Sequence, residues 1–187
     1  LEFRRVLFRS QVLWDHHQAL PVQLRHSMYT LLSSHDIPRA LWRLKGDVER
    51  FKLAYALLFA FPGSPAIYYG DEVGLSQPNP YAKWQGDPYC RAPFPWEESA
   101  WNLEVLTLIR RLVKLKRTHP ALRLGGLLPL DAGKGVLAFR RRYQGQEVWA
   151  FFAPEGARLT LPPGIDLIAE KEVAGEVETS FLLFQPV

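Results

Sequence analysis

The stretch MYTLLSSHD (residues 28–36) decides the fold when it is set beside AIYYGDE (residues 66–72). Each opens as a short run of apolar, aromatic and β-branched residues, which suits a strand. Each ends in carboxylates, Asp36 in the first and Asp71-Glu72 in the second. His35-Asp36-Ile37-Pro38 breaks the first strand, which reads over 28–34, because a proline biases its predecessor away from helix. Asp47 can then cap a helix over residues 48–61, rich in Leu, Ala and Phe, which Pro62-Gly63 ends. The second strand, 64–69, follows after almost no loop, as a helix-to-strand connection should. Two strands joined by one helix form a βαβ unit with a polar site at its carboxyl edge, the edge where barrel enzymes keep their chemistry. One such unit is only a piece of a barrel.

Downstream, residues 74–96 carry five prolines, Trp84, Trp96 and two tyrosines. The spacing predicts a long aromatic loop, ordered as a lid or wall. Residues 99–118 predict a helix, with Leu103, Leu106, Ile109, Leu112 and Val113 at spacings of three and four. Lys114, Lys116 and Arg117 crowd its last turn, where cations complement the helix dipole, and Pro120 follows. Beyond Pro120 the period changes to two. Short strands are predicted over 127–130, 135–143, 147–152, 158–161 and 181–184, with Gln144-Gly145 as a hairpin turn. The organisation expected is a partial barrel over 11–120 and an antiparallel β domain over 121–187. Upstream, 22–27 suits a short helix leading into the first strand.

Residues 1–10, LEFRRVLFRS, resemble the in-frame translation of a sequencing-library adapter and are set aside as an expected artefact. A basic arm or the start of an amphipathic helix are the competing readings. The segment holds Arg4, Arg5 and Arg9 against Glu2, so without it the net charge of +4 falls to +2. That balance gives no reason to expect nucleic acid as a partner. No apolar run reaches the ~20 residues of a membrane span, so no membrane partner is expected. The single cysteine, Cys90, excludes an internal disulfide and a multi-cysteine zinc site, and favours a reducing compartment, the cytoplasm. Six Trp, seven Tyr and eleven Phe suit a packed core and also suit sugar stacking.

Three strings in order, LLSSHDIPRAL, FPGSPAIYYGDEVGL and DPYCRAPFPWEE, resemble the C-terminal half of the α-amylase family, glycoside hydrolase family 13. The likeness is to its neopullulanase, cyclomaltodextrinase and maltogenic-amylase branch, and covers residues 25–125. It implies an α/β fold, the C-terminal part of a (β/α)8 barrel with strands seven and eight and their helices, followed by a small antiparallel β domain. It implies a retaining glycoside hydrolase cleaving α-1,4 glucosidic bonds, with α-1,6 bonds a further option, in starch, pullulan or cyclodextrin-derived oligosaccharides. Asp36 would be the catalytic carboxylate that stabilises the transition state, and His35 would bind the same sugar. In such enzymes a carboxylate nucleophile and a second carboxylic acid do the bond chemistry. Both stand on earlier strands than those present here, so this chain alone is expected to be inactive. Ile37 stands where Thr is common in the family, and Tyr89 where Asp is common.

Arg91 is assigned to substrate binding, with a carboxylate contact as the other reading. Asp71-Glu72 are expected to be structural, fixing the loop or pairing with arginines, and Arg39 is the expected ion-pair partner. Trp84 and Trp96 are expected in a loop core rather than stacked on sugar. Asp15-His16-His17 has no metal-ligand spacing, since adjacent side chains diverge. No cofactor and no metal site is expected within the segment; the calcium that some relatives require would draw on ligands outside it. The expected partner is an α-glucan oligosaccharide. The alternatives are a non-catalytic binding or scaffold relative of the same fold, or a glucan transferase or isomerase using the same site.

Overall fold

The computed structural model describes residues 10–77 and 89–187. The expected artefact, up to residue 9, and Trp84 lie outside the described residues. The chain begins with α1 (Ser10–Ala19) and α2 (Val22–Arg25), then β1 (Tyr29–Leu31), a one-turn α3 (Ala40–Arg43), α4 (Val48–Ala60) and β2 (Ser64–Ala66). β1 and β2 pair in parallel, with Tyr29 opposite Ser64 and Leu31 opposite Ala66. Both strands are shorter than the sequence predicts, and carbonyls beyond their ends bond arginines instead of the ladder. Leu32 accepts from Arg43 Nη2 at 2.6 Å and Tyr69 accepts from Arg39 Nη1 at 2.8 Å.

Asp47 caps α4 by accepting from the Arg50 N–H at 3.0 Å. The helix buries Phe51, Leu53, Tyr55, Leu58 and Phe59, apolar around most of its circumference, as suits a helix between two layers. The next helix, α5 (Leu103–Thr118), starts four residues later than its periodicity suggests. Glu98–Ala100 form a separate 3₁₀ turn, and Asn102 restarts the helix by accepting from the Val105 N–H at 3.1 Å. Leu103 falls in the first turn, exposed, while Val105, Leu108, Ile109, Leu112 and Leu115 are buried. No helix among the described residues is long and apolar enough to cross a membrane.

After α6 (Pro120–Leu124) come β3 (Gly126–Pro129), β4 (Leu137–Tyr143), β5 (Gln146–Asp166) and β6 (Lys171–Pro186), in an antiparallel meander of that order. Gln144 and Gly145 both take positive φ, 46° and 85°, as a two-residue hairpin of the tightly twisted type requires. The strands predicted over 147–152 and 158–161 are one strand, β5, carried through register shifts after Phe152 and after Leu161. β6 extends far upstream of its apolar end because Glu172, Glu176 and Glu178 sit on an exposed stretch of hairpin and hide the alternation.

The two layers share one core. Phe51, Phe59, Leu112, Phe139, Phe152 and Leu183 belong to a single apolar cluster. Polar bonds reinforce the junction at the C-terminus of α4, where the last carbonyls of a helix lack partners within it. Lys116 of α5 donates to Phe59 O at 3.0 Å and Phe61 O at 2.9 Å. Arg141 of β4 donates to Ala60 O at 2.6 Å and clamps Gly125 O with Nε and Nη2 at 3.1 and 2.9 Å. Both side chains are buried. Burial lowers the Arg141 guanidinium to about 10.

Burial, aided by the charge of Arg141, also lowers the Lys116 ammonium to about 7. An unfolded lysine holds its proton to about 10.4. Between those values the unfolded chain binds the extra proton, so raising the pH favours the folded state, and the gain is lost as pH falls through 7. Thermal melts at about pH 7 and about pH 9.5 are therefore expected to show a larger upward shift for wild type than for Lys116→Met. Equal shifts would remove Lys116 as the source.

Candidate active site

The carboxyl end of β1 sorts its residues by direction. Ser33 turns inward, is buried, and its Oγ accepts the Ala40 N–H at 2.9 Å, which starts α3. Ser34, His35 and Asp36 line a cleft of about 340 Å³ with Tyr68 on the facing wall. The Ser34 hydroxyl donates to Asp36 Oδ1, and the Asp36 N–H returns a bond to Ser34 Oγ at 3.3 Å. Asp36 is exposed. The Ser34 bond holds its carboxyl below the ordinary range, helped by the charges of His35 and Arg91 and opposed by slight burial. The His35 ring is exposed, and its carbonyl is pinned by two donors from the 3₁₀ turn at residues 89–91: Cys90 Sγ at 3.0 Å and Arg91 Nε at 3.0 Å.

The carboxyl end of β2 builds the opposite environment. Gly70 takes φ 87°, and a Cβ there would meet the Leu75 side chain at 2.6 Å, so the turn that reverses the chain requires glycine. Asp71 follows, fully buried. Its carboxylate receives Arg39 Nη1 at 3.1 Å and the Tyr55 hydroxyl at 2.6 Å. Burial raises the Asp71 carboxyl above its ordinary range, against Ser33, Tyr55 and Arg39, which pull it down. The Arg39 guanidinium lies 4.7 Å from the Tyr68 ring centre and 4.8 Å from that of Tyr69, a cation–π arrangement. Its backbone N–H donates to Gln77 Oε1 at 2.7 Å. Burial raises Tyr68 to about 12, with its contact to Tyr69 adding to the shift. One carboxylate at this edge is thus dry and paired, and the other is wet and presented to the cleft.

Asp71 and Arg39 form the ion pair expected of them. Glu72 is half-buried, and its Oε2 has no hydrogen-bond partner among the described residues. Arg91 Nε donates to the His35 carbonyl. The loop-core expectation for Trp96 is overturned: the ring is 82 % exposed, resting against Phe94 at 4.9 Å. Trp101 takes the core position instead, donating Nε1 to Pro95 O at 2.6 Å and packing on Phe94. Asp15 and His16 are exposed while His17 turns in against Phe61, and burial lowers His17 to about 4. Sequence reasoning missed Ser34, Tyr55 and Gln77. For Ser34 the signal was present, because a serine two residues before an aspartate can bond it locally.

Residues 6–104 match the family described as alpha amylase, catalytic domain. The chain is 38 % identical over 121 residues to a cyclomaltodextrinase from Thermoanaerobacter pseudethanolicus, covering 65 % of this chain and 20 % of that protein. It is 34 % identical over 137 residues to an intracellular maltogenic amylase from Bacillus subtilis, covering 72 % and 22 %. Its fold superposes with a TM-score of 0.74 and 31 % identity on a cyclic alpha-maltosyl-(1→6)-maltose hydrolase from Arthrobacter globiformis, covering 93 % of this chain and 39 % of that one. The chain spans about a fifth of the length of these curated relatives. With a parallel strand pair that carries SHD and YGDE at its carboxyl edge, and an antiparallel sheet behind it, the chain belongs to the α-amylase family as the C-terminal part of its (β/α)8 barrel and the β domain that follows.

Proposed function

We propose that this chain supplies the transition-state-stabilising edge of a retaining α-glucan hydrolase, which cleaves α-1,4 and α-1,6 glucosidic bonds in maltooligosaccharides, cyclodextrins or pullulan. The observation that carries the reading is the ionised, exposed carboxylate of Asp36, aimed into a cleft and steadied by Ser34. A sugar ring that becomes oxocarbenium-like gains positive charge, and a fixed negative charge beside it stabilises that state more than the ground state. His35, anchored through its carbonyl, offers a ring nitrogen to a sugar hydroxyl. Arg91 acts through His35, whose carbonyl its Nε fixes, and is assigned to substrate binding beside that residue. Bond cleavage itself needs a carboxylate nucleophile and an acid at the ends of other barrel strands. We assign the enzyme to the cytoplasm, a reading supported by its single cysteine and by the intracellular relative.

The purified 187-residue chain is therefore expected to release no reducing sugar from cyclodextrin or maltotriose. The open edge of β1 should also make it prone to aggregate. A protein carrying this chain in a complete barrel is expected to turn over both substrates. Turnover by the isolated chain would overturn the division of labour proposed, and a complete barrel inert on every α-glucan would overturn the hydrolase reading.

A further inference from the structure

At the amino-terminal end of β1 and β2, opposite the catalytic edge, a cavity of about 440 Å³ lies between β2, α5 and α6. Its walls carry His26, Lys116, Arg117 and Arg123, and no carboxylate among the described residues. Neither Arg117 nor Arg123 has an ion-pair partner among the described residues. Lys116 spends two of its three N–H bonds on Phe59 O and Phe61 O, leaving one for the cavity. His26 Nδ1 is buried with no hydrogen-bond partner among the described residues, and the charges acting on its ring, from Arg141, Lys116 and Arg25, are all positive. Of these groups Lys116 is buried, and holding its charge beside other cations without a counter-charge is costly. An anion in the cavity offsets that cost.

The walls also specify which anion. The cationic donors come from α5 and α6, so they approach the cavity from two helices. A tetrahedral dianion offers acceptor oxygens in several directions at once, and guanidinium groups match phosphate oxygens well. The cavity falls in the size range of small-molecule sites, larger than a bare anion needs. Ile67, Val113 and Leu124 give it an apolar side. We propose that this cavity binds a phosphomonoester, its dianion held by Lys116, Arg117 and Arg123 and its organic body laid on Ile67, Val113 and Leu124.

The test is calorimetric titration of the complete barrel protein with inorganic phosphate and with phenyl phosphate, at constant ionic strength set by chloride. Phenyl phosphate is expected to bind more tightly than inorganic phosphate. In the double variant Arg117→Gln/Arg123→Gln its dissociation constant is expected to rise about tenfold or more, since charge-assisted hydrogen bonds are removed. Both arginines are exposed, so the variant should fold, which far-ultraviolet circular dichroism checks. Unchanged affinity in the double variant would overturn the site. So would absence of binding by either probe at millimolar concentration, the result expected if a carboxylate from elsewhere in the barrel fills the cavity. Equal affinity for the two probes would overturn the phosphomonoester assignment.

Discussion

In a complete barrel, Asp36→Asn is expected to lower kcat on cyclodextrin by about 10²–10³-fold, the usual loss when one preorganised electrostatic partner of a transition state is removed. The substitution keeps the size and part of the hydrogen bonding, and takes away the charge. Since that charge matters most when the sugar is oxocarbenium-like, KM should change less than kcat. His35→Ala should lose less, because a hydrogen bond to a neutral hydroxyl is weaker than a charge interaction. The structure adds a control. Asp36 is exposed and, among the described residues, bonds Ser34 within its own turn, so Asp36→Asn should leave the melting temperature near that of wild type. A purely structural Asp36 predicts the reverse: a lowered melting temperature and a normal kcat in the folded fraction. Wild-type kcat in Asp36→Asn would overturn the catalytic assignment.

The opposite carboxylate should give the opposite result. Asp71→Asn is expected to destabilise the complete protein by about 3–5 kcal/mol, the range for breaking a buried ion pair from one side. Arg39 would be left charged and fully buried, with the Tyr55 hydroxyl facing an amide in place of a carboxylate. Because burial already strains the carboxylate, the pair as a whole contributes less than its loss from one side suggests. Arg39→Met/Asp71→Leu should therefore recover most of the stability that Asp71→Asn loses. Urea unfolding of the three proteins measures this. A loss below about 1 kcal/mol in Asp71→Asn would mean that Arg39 finds water, and that the site is not dry.

Local signals in the chain were enough for the βαβ unit. Asp47 caps α4 three residues from its partner, and Pro62-Gly63 stops it, so both ends are written in neighbouring residues. The position of His35 and Asp36 at a strand end was legible for the same reason, being set by neighbouring residues. What stayed hidden is non-local. Tyr55 meets Asp71 across 16 residues and Arg39 meets it across 32, and no periodicity announces either contact. The one-turn α3 depends on the Ser33 hydroxyl seven residues from the amide it accepts. β6 was read only at its apolar end because its glutamates face water on an exposed hairpin, where alternation is not enforced by burial. Trp96 was misread because aromatic composition cannot say which of two nearby tryptophans, Trp96 or Trp101, fills the loop core.

The crossed bonds at the end of α4 bear on how this part of the protein can evolve. A module that moves freely between genes must leave its neighbour's polar groups satisfied when it departs. Here the sheet cannot leave without stranding Ala60 O, and neither half can rotate against the other while Arg141 grips both Ala60 and Gly125. Backbone amides in α4 and β4 should accordingly exchange with deuterium through one shared opening event, not two. Truncation before β3 should abolish a soluble product instead of yielding a smaller working barrel. The C-terminal sheet is, in this sense, inherited with the barrel and not appended to it.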